Sequence, residues 1–247
     1  MLQESGLSAT LAERAFQMAS VQMLTDFAKM HGAGDEELLW GGNALPFVDE
    51  RDRLEGLRGF QAMKRHEAQC MDAYCNATYL WDAEEVAKHT SSSSFLGAVY
   101  GRSGGSLWPS KIVFGLVNAS LAAGVRLHTH TPVHALTRSG VHWQINTAKG
   151  MTTAKQVILA TNAYTSYLLP AFADKIVPVK ETVLITKPLP PVGAFLNSLK
   201  NDTAYYMQRR DGRIVIGGRL DSQHTIGRVD DDSIDSALVT RLVDMLI

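Results

Sequence analysis

A short apolar run in the second half of the chain places the strongest constraint on the fold. Residues 156–161 read QVILAT, between a Lys149–Gly150 turn and the amide residue Asn162. Near-continuous apolar strands are typical of sheets that are buried on both faces, and such sheets are mostly parallel and covered by helices. We therefore predict that residues 154–161 form a central strand of an α/β sheet.

The residues before this run predict the unit to which the strand belongs. Pro109 suits the first turn of a helix, and Gly124 suits the left-handed position just after its last turn. Residues 125–136 (VRLHTHTPVHAL) predict a strand, and residues 141–148 predict its hairpin partner across a Ser139–Gly140 turn. This order of helix, strand, hairpin and buried strand indicates an α/β unit with a small antiparallel insertion.

The first third of the chain predicts helices. Apolar residues recur at helical spacing over Ser8–Met30, where Ser8 is the capping residue, and again over residues 50–74. Residues 77–81 (ATYLW) predict a strand, after which Asp82 caps a short helix. Because the two long helices are amphipathic, we expect them to pack on each other or on a sheet.

The last third predicts an antiparallel sheet followed by a helix. Residues 176–186 alternate like a strand, and two further strand-like runs flank Asp211–Gly212, a dipeptide typical of hairpin turns. A helix that is capped by Asp or Ser then begins in DDDSIDSALV, and its apolar stripe continues to Ile247. We expect the sequence to be cut within this helix.

Charge and hydropathy argue against several classes of function. The 247 residues carry a formal net charge of −1, which gives no electrostatic reason to bind nucleic acid or an anionic membrane. No segment approaches the ~18 consecutive apolar residues of a membrane span, and the acidic N-terminus lacks the apolar core of a secretory signal. We interpret Cys70 and Cys75 as reduced thiols of an intracellular, cytoplasmic protein.

Three runs in this order resemble the glycine/D-amino-acid oxidase (DAO) family of FAD-dependent oxidoreductases. The first has paired glycines, a Pro-started helix, a Gly cap and a strand that ends near a Val; the second is a buried strand that ends in Ala-Thr-Asn-Ala-Tyr. The third is a strand with an Asp-Gly hairpin that ends in Ile-Gly-Gly. They occupy residues 104–136, 155–170, and 176–186 with 205–218, and the resemblance covers about residues 95–219.

The resemblance implies an α/β (mixed α+β) fold, in which a Rossmann-like FAD-binding domain is interleaved with an antiparallel-sheet substrate domain. It implies that residues 1–76 are a helical part of the FAD domain, residues 77–108 a substrate-domain segment, and residues 109–170 an FAD-binding segment. Residues 171–247 then hold the substrate-domain sheet and the start of a helix. The family's N-terminal GxGxxG turn and its C-terminal glycine-rich segment find no match, so we expect a family member cut at both ends.

The resemblance also implies a cofactor and a reaction. FAD would receive main-chain hydrogen bonds at Val133 and would lie against the small residues Ala160, Thr161 and Asn162, since open α/β sheets bind ligands at the carboxyl ends of their strands. The implied activity is oxidation of a C–N bond of an amino acid or secondary amine, a small-molecule substrate, by hydride transfer to the flavin. The alternative is a truncated, non-catalytic relative that does not bind FAD.

The Asp-Gly hairpin would form the floor of the substrate site in this family. We identify Tyr206 and Arg210 as candidate substrate-binding residues, because an Arg can bind a carboxylate through two hydrogen bonds and a Tyr can orient it. Alternation places Tyr205 and Arg209 on the other face. An ordinary hairpin with solvated arginines remains the alternative, and no catalytic residue is identified.

A few other residues allow a functional reading beside a structural one. His128 and His130 have the i, i+2 spacing that metal sites use on strands, but no nearby carboxylate or cysteine completes a ligand set, so no metal is predicted. Tyr164 could contact the flavin or simply pack. Trp108, just before Pro109, is interpreted as a packing residue.

Overall fold

The chain divides into two units, which a computed structural model describes over residues 2–31, 38–66, 78–192, 196–199, 204–218, 225–230 and 232–244. One unit comprises residues 1–119 and 183–218, and the other comprises residues 120–182 and 219–247. Each unit therefore contains two separate stretches of the chain.

The first unit is built on a large sheet with helices before and between its strands. Its elements are α1 (Leu2–Met30), β1 (Leu38–Leu39), β2 (Asn43–Pro46), α2 (Glu50–Arg65), β3 (Thr78–Trp81), α3 (Ala83–Thr90), β4 (Ala98–Gly101), β5 (Ser106–Leu107), most of α4 (Pro109–Ala122), most of β9 (Thr182–Pro188), β10 (Leu196–Leu199), β11 (Ala204–Gln208) and β12 (Arg213–Gly218).

Seven strands form the large sheet in the order β3-β4-β2-β10-β11-β12-β9. The pairs β3–β4, β2–β4, β10–β11 and β11–β12 are antiparallel, whereas β2 and β10 pair in parallel. Gly212, at a φ of +81°, allows the tight turn between β11 and β12, and its N–H donates to the carbonyl of Arg209 at 3.0 Å. A separate pair, β1 with β5, is antiparallel.

Helices α2 and α3 pack against the β3–β4 edge of this sheet. The ring of Phe47 occupies the space beside Gly56 of α2, so the glycine lets helix and strand segment approach closely. At the same edge the Trp81 ring stacks between Tyr100 and His89, at centroid distances of 4.2 Å and 4.4 Å. The core residues Ala44, Phe47, Val86, Ala98, Ala204, Ile214 and Ile216 are all buried.

The second unit contains a three-stranded antiparallel sheet and short helices. Its elements are β6 (Val133–Ser139), β7 (His142–Thr147), β8 (Gly150–Ala154), a 3₁₀ turn (Asn162–Tyr164), α5 (Thr165–Leu168), a second 3₁₀ turn (Pro170–Phe172) and α6 (Ser236–Asp244). Lys180 joins two stretches of this unit, because its ammonium donates to the carbonyls of Asp230 and Ser233 at 2.6 Å each.

Most local predictions are confirmed. Helix α1 spans the predicted region, although non-helical angles at Gly6 interrupt it two residues before Ser8. Asp82 caps α3 by accepting from the N–H of Glu85 at 2.8 Å, and Gly124 has the expected positive φ of 89°. Helix α2 ends at Arg65, short of the predicted Tyr74, and residues 67–77, with both cysteines, lie outside the described residues.

Three predicted strands are wrong in whole or in part. In the last third of the chain, the strand predicted for residues 176–186 begins only at Thr182, as β9. Residues 125–132 are exposed chain without strand pairing, so only the end of the predicted strand, from Val133, belongs to β6. Residues 155–161 likewise form no strand, and the side chain of Ile158 is 92% exposed. The physical reason is that a strand exists only with a neighbour, and none of the described residues pairs with either segment.

The predicted α/β class with antiparallel sheets nevertheless holds for the structure as a whole. Among the described residues, no helix is both long and apolar enough to cross a membrane. The assignment of chain segments to a cofactor domain and a substrate domain stays a prediction, since the two units are distinguished by contacts alone.

Two glycines of α2 offer a matched test of the α2–sheet contact. We expect Gly56→Ala to lower the free energy of unfolding by about 1–3 kcal/mol, because the new methyl group collides with the Phe47 ring. Gly59→Ala meets no atom within 4 Å and should raise the stability by up to about 1 kcal/mol through helix propensity. Urea unfolding followed by circular dichroism measures both; equal effects of the two changes would contradict the contact.

Candidate functional site

The β11–β12 hairpin has two chemically different faces. Ala204, Gln208, Ile214 and Ile216 are buried on the face that forms the core. Tyr205, Met207 and Val215 point to the other face, where the phenol of Tyr205 lies over Gly217: a Cβ there would be 2.6 Å from its Oη. Because Gly217 has no side chain, the ring of Tyr205 can pack directly on the sheet.

A pocket of about 620 Å³ opens on this second face of the hairpin. Its floor is formed by side chains of β9, β11 and β12, and its rim by β1, β5 and the start of α4. The lining residues are Leu39, Ser106, Leu107, Trp108, Pro109, Lys111, Val183, Tyr205, Met207, Arg209, Arg210, Asp211 and Val215. The volume suits a small molecule, and an apolar floor below a charged rim is typical of ligand sites.

Trp108 organises the cationic side of this pocket. The guanidinium carbon of Arg209 lies 4.2 Å from the centroid of the indole ring, and the ammonium of Lys111 lies 4.6 Å from it. Arg209 also pairs with Asp211, at 3.0 Å between Nη2 and Oδ2. Stacking and pairing together hold Arg209 in place, so Trp108 stacks on a cation in addition to the packing role that the sequence suggests.

Arg210 is the more available of the two arginines. Its side chain is exposed at the pocket rim, and it has no ion-pair partner among the residues that the structure describes. With Lys111 and Arg209, it gives the lining three cations against the single carboxylate of Asp211. The rim therefore favours an anionic group, and a guanidinium matches a carboxylate in geometry as well as in charge.

Gln208 holds the chain that surrounds the hairpin turn. Its side-chain oxygen accepts from the N–H of Val192 at 2.7 Å, and its amide nitrogen lies within 3.1 Å of the carbonyls of Leu189, Pro190 and Gly212. The residue is buried, with 9% of its surface exposed. One side chain thus ties the segment after β9 to the turn that carries Arg209 and Arg210.

The structure separates the two substrate-binding residues predicted from the sequence. Arg210 lines the pocket, whereas Tyr206 lies on the core-facing side of β11, opposite Ile216, and Tyr205 occupies the pocket instead. Burial raises the pKa of the Tyr206 phenol to about 12. A substrate contact by Tyr206 stays a prediction. Alternation along β11 identified the two faces, but it did not reveal which face is buried in the core.

The residues predicted to hold FAD lie in the second unit. Val133 begins β6, and α5, which follows Asn162, lies close to this strand. Asn162 has a φ of 44°, in the left-handed region that asparagine tolerates, and its carbonyl accepts from the hydroxyl of Thr165 at 2.9 Å. The hydroxyls of Thr161 and Thr165 are 2.8 Å apart. The amide residue therefore makes the turn that ends the extended segment.

This segment is suited to main-chain contact with a nucleotide. From Gln156 to Ala160 its main chain makes no hydrogen bond to any described residue, and Ala160 adds only an exposed methyl group. Free N–H and C=O groups beside small side chains are what a close-lying cofactor needs. The residues present thus fit the nucleotide part of FAD.

The histidine pair is not held on a strand. His128 and His130 lie in the exposed stretch before β6, and His130 has a φ of 50°. In the described part of the chain, no group of three or more His, Cys, Asp and Glu side chains is arranged to hold a metal ion. Tyr164, the other residue left open by the sequence, is exposed in the 3₁₀ turn.

Comparison with known proteins gives the family. A family model described as FAD dependent oxidoreductase matches residues 5–246. The probable oxidoreductase OrdL of Rhizobium meliloti (strain 1021) is 26% identical over 228 residues, covering 87% of this chain and 50% of that protein. Gamma-glutamylputrescine oxidoreductase of Escherichia coli (strain K12) is 27% identical over 173 residues, covering 66% of this chain and 39% of the other. The chain spans about half the length, or less, of these relatives.

Solved structures show the same fold. Glycine oxidase from Geobacillus kaustophilus aligns over 96% of this chain and 61% of its own, with a TM-score of 0.76 and 17% identity. NikD, an unusual amino acid oxidase essential for nikkomycin biosynthesis, aligns over 93% and 61%, with a TM-score of 0.67 and 14% identity. The mixed α/β fold with antiparallel sheets that the sequence predicts is confirmed by this likeness.

The Gln208 amide allows a direct test of how the pocket is supported. We expect Gln208→Leu to lower the free energy of unfolding by about 1–3 kcal/mol, because it leaves the N–H of Val192 and several carbonyls without their partner. Gln144→Leu, at a half-buried position of β7, is the control and should change stability by less than about 0.5 kcal/mol. Urea unfolding measures both, and equal stabilities would argue against the supporting role of Gln208.

Tyr206 predicts a specific loss of stability at alkaline pH. Its folded pKa, about 12, exceeds the ordinary value of about 10, so the stabilisation from burying the neutral phenol is complete below pH 10. It is lost as the pH rises from about 10 to 12, because only the unfolded chain then gives up the proton. Relative to Tyr206→Phe, the unchanged chain should lose stability across this window in urea unfolding experiments.

Tyr167→Phe, at an exposed tyrosine, is the matched control for this experiment. The absorbance of tyrosinate at 295 nm provides a second readout, in which Tyr206→Phe should remove the group that titrates last. A constant difference in stability between the unchanged chain and Tyr206→Phe from pH 8 to 12 would refute the prediction.

Proposed function

The chain belongs to the FAD dependent oxidoreductase family, and from this membership we propose that it forms the substrate-binding part of an enzyme that oxidises a C–N bond of an amino acid or secondary amine. The pocket above β11 and β12 carries this proposal. Its rim binds an anion through Lys111, Arg209 and Arg210, while its floor accepts an apolar body. An amino acid or an N-substituted amino acid has both features.

Each residue of the pocket has a distinct part in this proposal. Arg210 binds the substrate carboxylate, since its guanidinium is exposed and unpaired among the described residues. Arg209, stacked on Trp108, adds positive potential and a fixed wall. Tyr205, seated over Gly217, lies on the floor beside the body of the substrate and orients it through its hydroxyl. Tyr206 remains a predicted substrate-binding residue, although it lies on the core-facing side of the hairpin.

The cofactor of this proposal is FAD. Val133, Ala160, Thr161 and Asn162 would hold it, the first by main-chain hydrogen bonds and the others by close approach of small residues. Bound FAD supplies a two-electron acceptor for hydride removal from a C–H bond next to nitrogen. The chain's own contribution is to bind the carboxylate, fix the orientation of the substrate and exclude water with the apolar floor.

The names of the relatives support this substrate class. The solved structures include a glycine oxidase and an amino acid oxidase, and a curated relative is a gamma-glutamylputrescine oxidoreductase. All three names denote oxidation of a molecule that contains an amine or amino acid group. An intracellular, cytoplasmic location stays a prediction. The alternative is a truncated, non-catalytic relative that does not bind FAD.

Flavin binding tests the proposal at the level of the cofactor. The purified chain, titrated with FAD, should shift the flavin absorbance spectrum and quench its fluorescence, because the isoalloxazine ring moves from water into a protein site. Amine-dependent reduction of an added electron acceptor would then be measured with a panel of N-methyl and unsubstituted amino acids. A chain that leaves the FAD spectrum unchanged would favour the non-catalytic alternative.

Arg210 tests the proposal at the level of the substrate. We expect Arg210→Ala to weaken the binding of acetate, the simplest carboxylate, by about tenfold or more, since a lost charge-assisted hydrogen bond costs about 1.5–3 kcal/mol. Arg210→Lys should recover only part of the affinity, because an ammonium lacks the two-pronged geometry. Arg58→Ala, at an exposed position of α2, is the control. Isothermal titration calorimetry measures all four proteins, and unchanged affinity in Arg210→Ala would contradict the assigned role.

A further inference from the structure

A second pocket of about 450 Å³ adjoins the first. It shares Leu39, Arg209 and Arg210 with the first pocket, so the two cavities are neighbours with a common cationic wall. Its own lining residues are Trp40, Gly41, Leu189, Pro191, Gln208 and Gly212. We propose that this second pocket binds an apolar arm of an extended substrate, whose carboxylate lies between the pockets at Arg210.

Apart from Gln208 and the shared arginines, the side chains that line the second pocket are apolar. The ring of Trp40 rests on Gly105, where an added Cβ would lie 2.9 Å from Cε3 of the indole. Trp40 is nevertheless 53% exposed and Leu189 is 44% exposed, so both present apolar surface that is not covered by the described residues. Such surface on a small, concave site gains free energy when an apolar group covers it.

Apart from the shared arginines, two polar groups at this site already have hydrogen-bond partners. The side-chain oxygen of Gln208 accepts from the N–H of Val192, and its amide nitrogen donates to the carbonyls of Leu189 and Pro190. The N–H of Leu189 donates to the carbonyl of Gly212 at 2.8 Å. No Asp or Glu is among the described residues that line the pocket. The second pocket therefore selects against a cationic arm, which would meet two arginines and no carboxylate.

The shared arginines determine the arrangement of the ligand. An anionic group at Arg210 has one pocket on each side, so a substituent on the carboxylate-bearing part of the molecule can extend into the second cavity. The inference rests on the proposed function, because it takes the first pocket as the place of the reacting amine. It adds a substrate class: carboxylates that bear an apolar or aromatic arm several carbons long, in preference to the smallest amino acids.

Two carboxylates and two matched variants test the second pocket. The probes are acetate, which has no arm, and 4-phenylbutanoate, which carries an aromatic arm on three methylene groups. Leu189→Trp fills the second pocket, while Val183→Trp places the same bulk in the first pocket at a similarly exposed apolar position. The main-chain hydrogen bonds of Leu189 do not depend on its side chain, and thermal unfolding checks that both variants fold.

Isothermal titration calorimetry on the purified chain then gives four comparisons. We expect the unchanged chain to bind 4-phenylbutanoate at least about tenfold more tightly than acetate. Leu189→Trp should reduce that advantage to about twofold or less and leave the Kd of acetate unchanged. Val183→Trp should preserve most of the advantage.

The contrary outcomes separate the two proposals. If the advantage of 4-phenylbutanoate survives Leu189→Trp and disappears in Val183→Trp, the arm lies in the first pocket, and the second-pocket inference is wrong while the first site stands. Equal affinities for the two probes in the unchanged chain, both weakened by Arg210→Ala, also overturn only the inference. If neither probe binds, or Arg210→Ala has no effect on either, the proposed function of the first pocket fails as well.

Discussion

The side-chain amide of Gln208 is the interaction on which the candidate site depends. It lies at the end of β11, on the buried face, and it joins the end of the hairpin to a segment that arrives from a different strand. Because its hydrogen bonds go to main-chain groups, they fix the path of the backbone and not merely a side-chain position. Arg209 and Arg210 follow immediately in sequence and line both pockets, so the geometry of both pockets depends on this amide.

The two arginines at the pocket rim differ in how firmly they are held. Trp108 and Asp211 hold Arg209, which therefore acts as a fixed positive wall, and Arg210 keeps its guanidinium in solvent. A held cation loses little side-chain entropy when a ligand arrives, whereas a free one can adjust to the ligand's shape. Arg209 therefore supplies a fixed positive potential, and the neighbouring Arg210 supplies a hydrogen-bonding group that can adjust to the ligand. The same alternation of faces that puts Tyr205 beside them turns the half-buried Tyr206 to the core-facing side.

The sequence predicts those parts of the fold whose interactions are local. Asp82 and Gly124 mark helix ends, and Asp211–Gly212 marks a hairpin, because each acts on residues only a few positions away. The run around Ile158 fails as a strand because apolar character indicates burial but does not supply a pairing partner. In the site, Arg210 is predictable from its place beside a turn. Trp108 and Tyr205 are not, since their roles depend on which face of the sheet the helices cover and on a rim brought from distant segments.

The parallel pairing of β2 with β10 affects the order in which the protein folds during translation. Asn43 pairs with Leu196, so the chain must be synthesised far beyond the first unit's helices before the middle of its sheet can close. Until then β2 presents an unpaired edge on the emerging chain, while the whole second-unit sheet, β6 to β8, is completed from neighbouring residues. Nascent chains of this topology expose such an edge for seconds at ordinary rates of translation, the interval in which holding chaperones act. The second unit's sheet can therefore fold on the ribosome before the pocket-bearing sheet that begins earlier in the sequence.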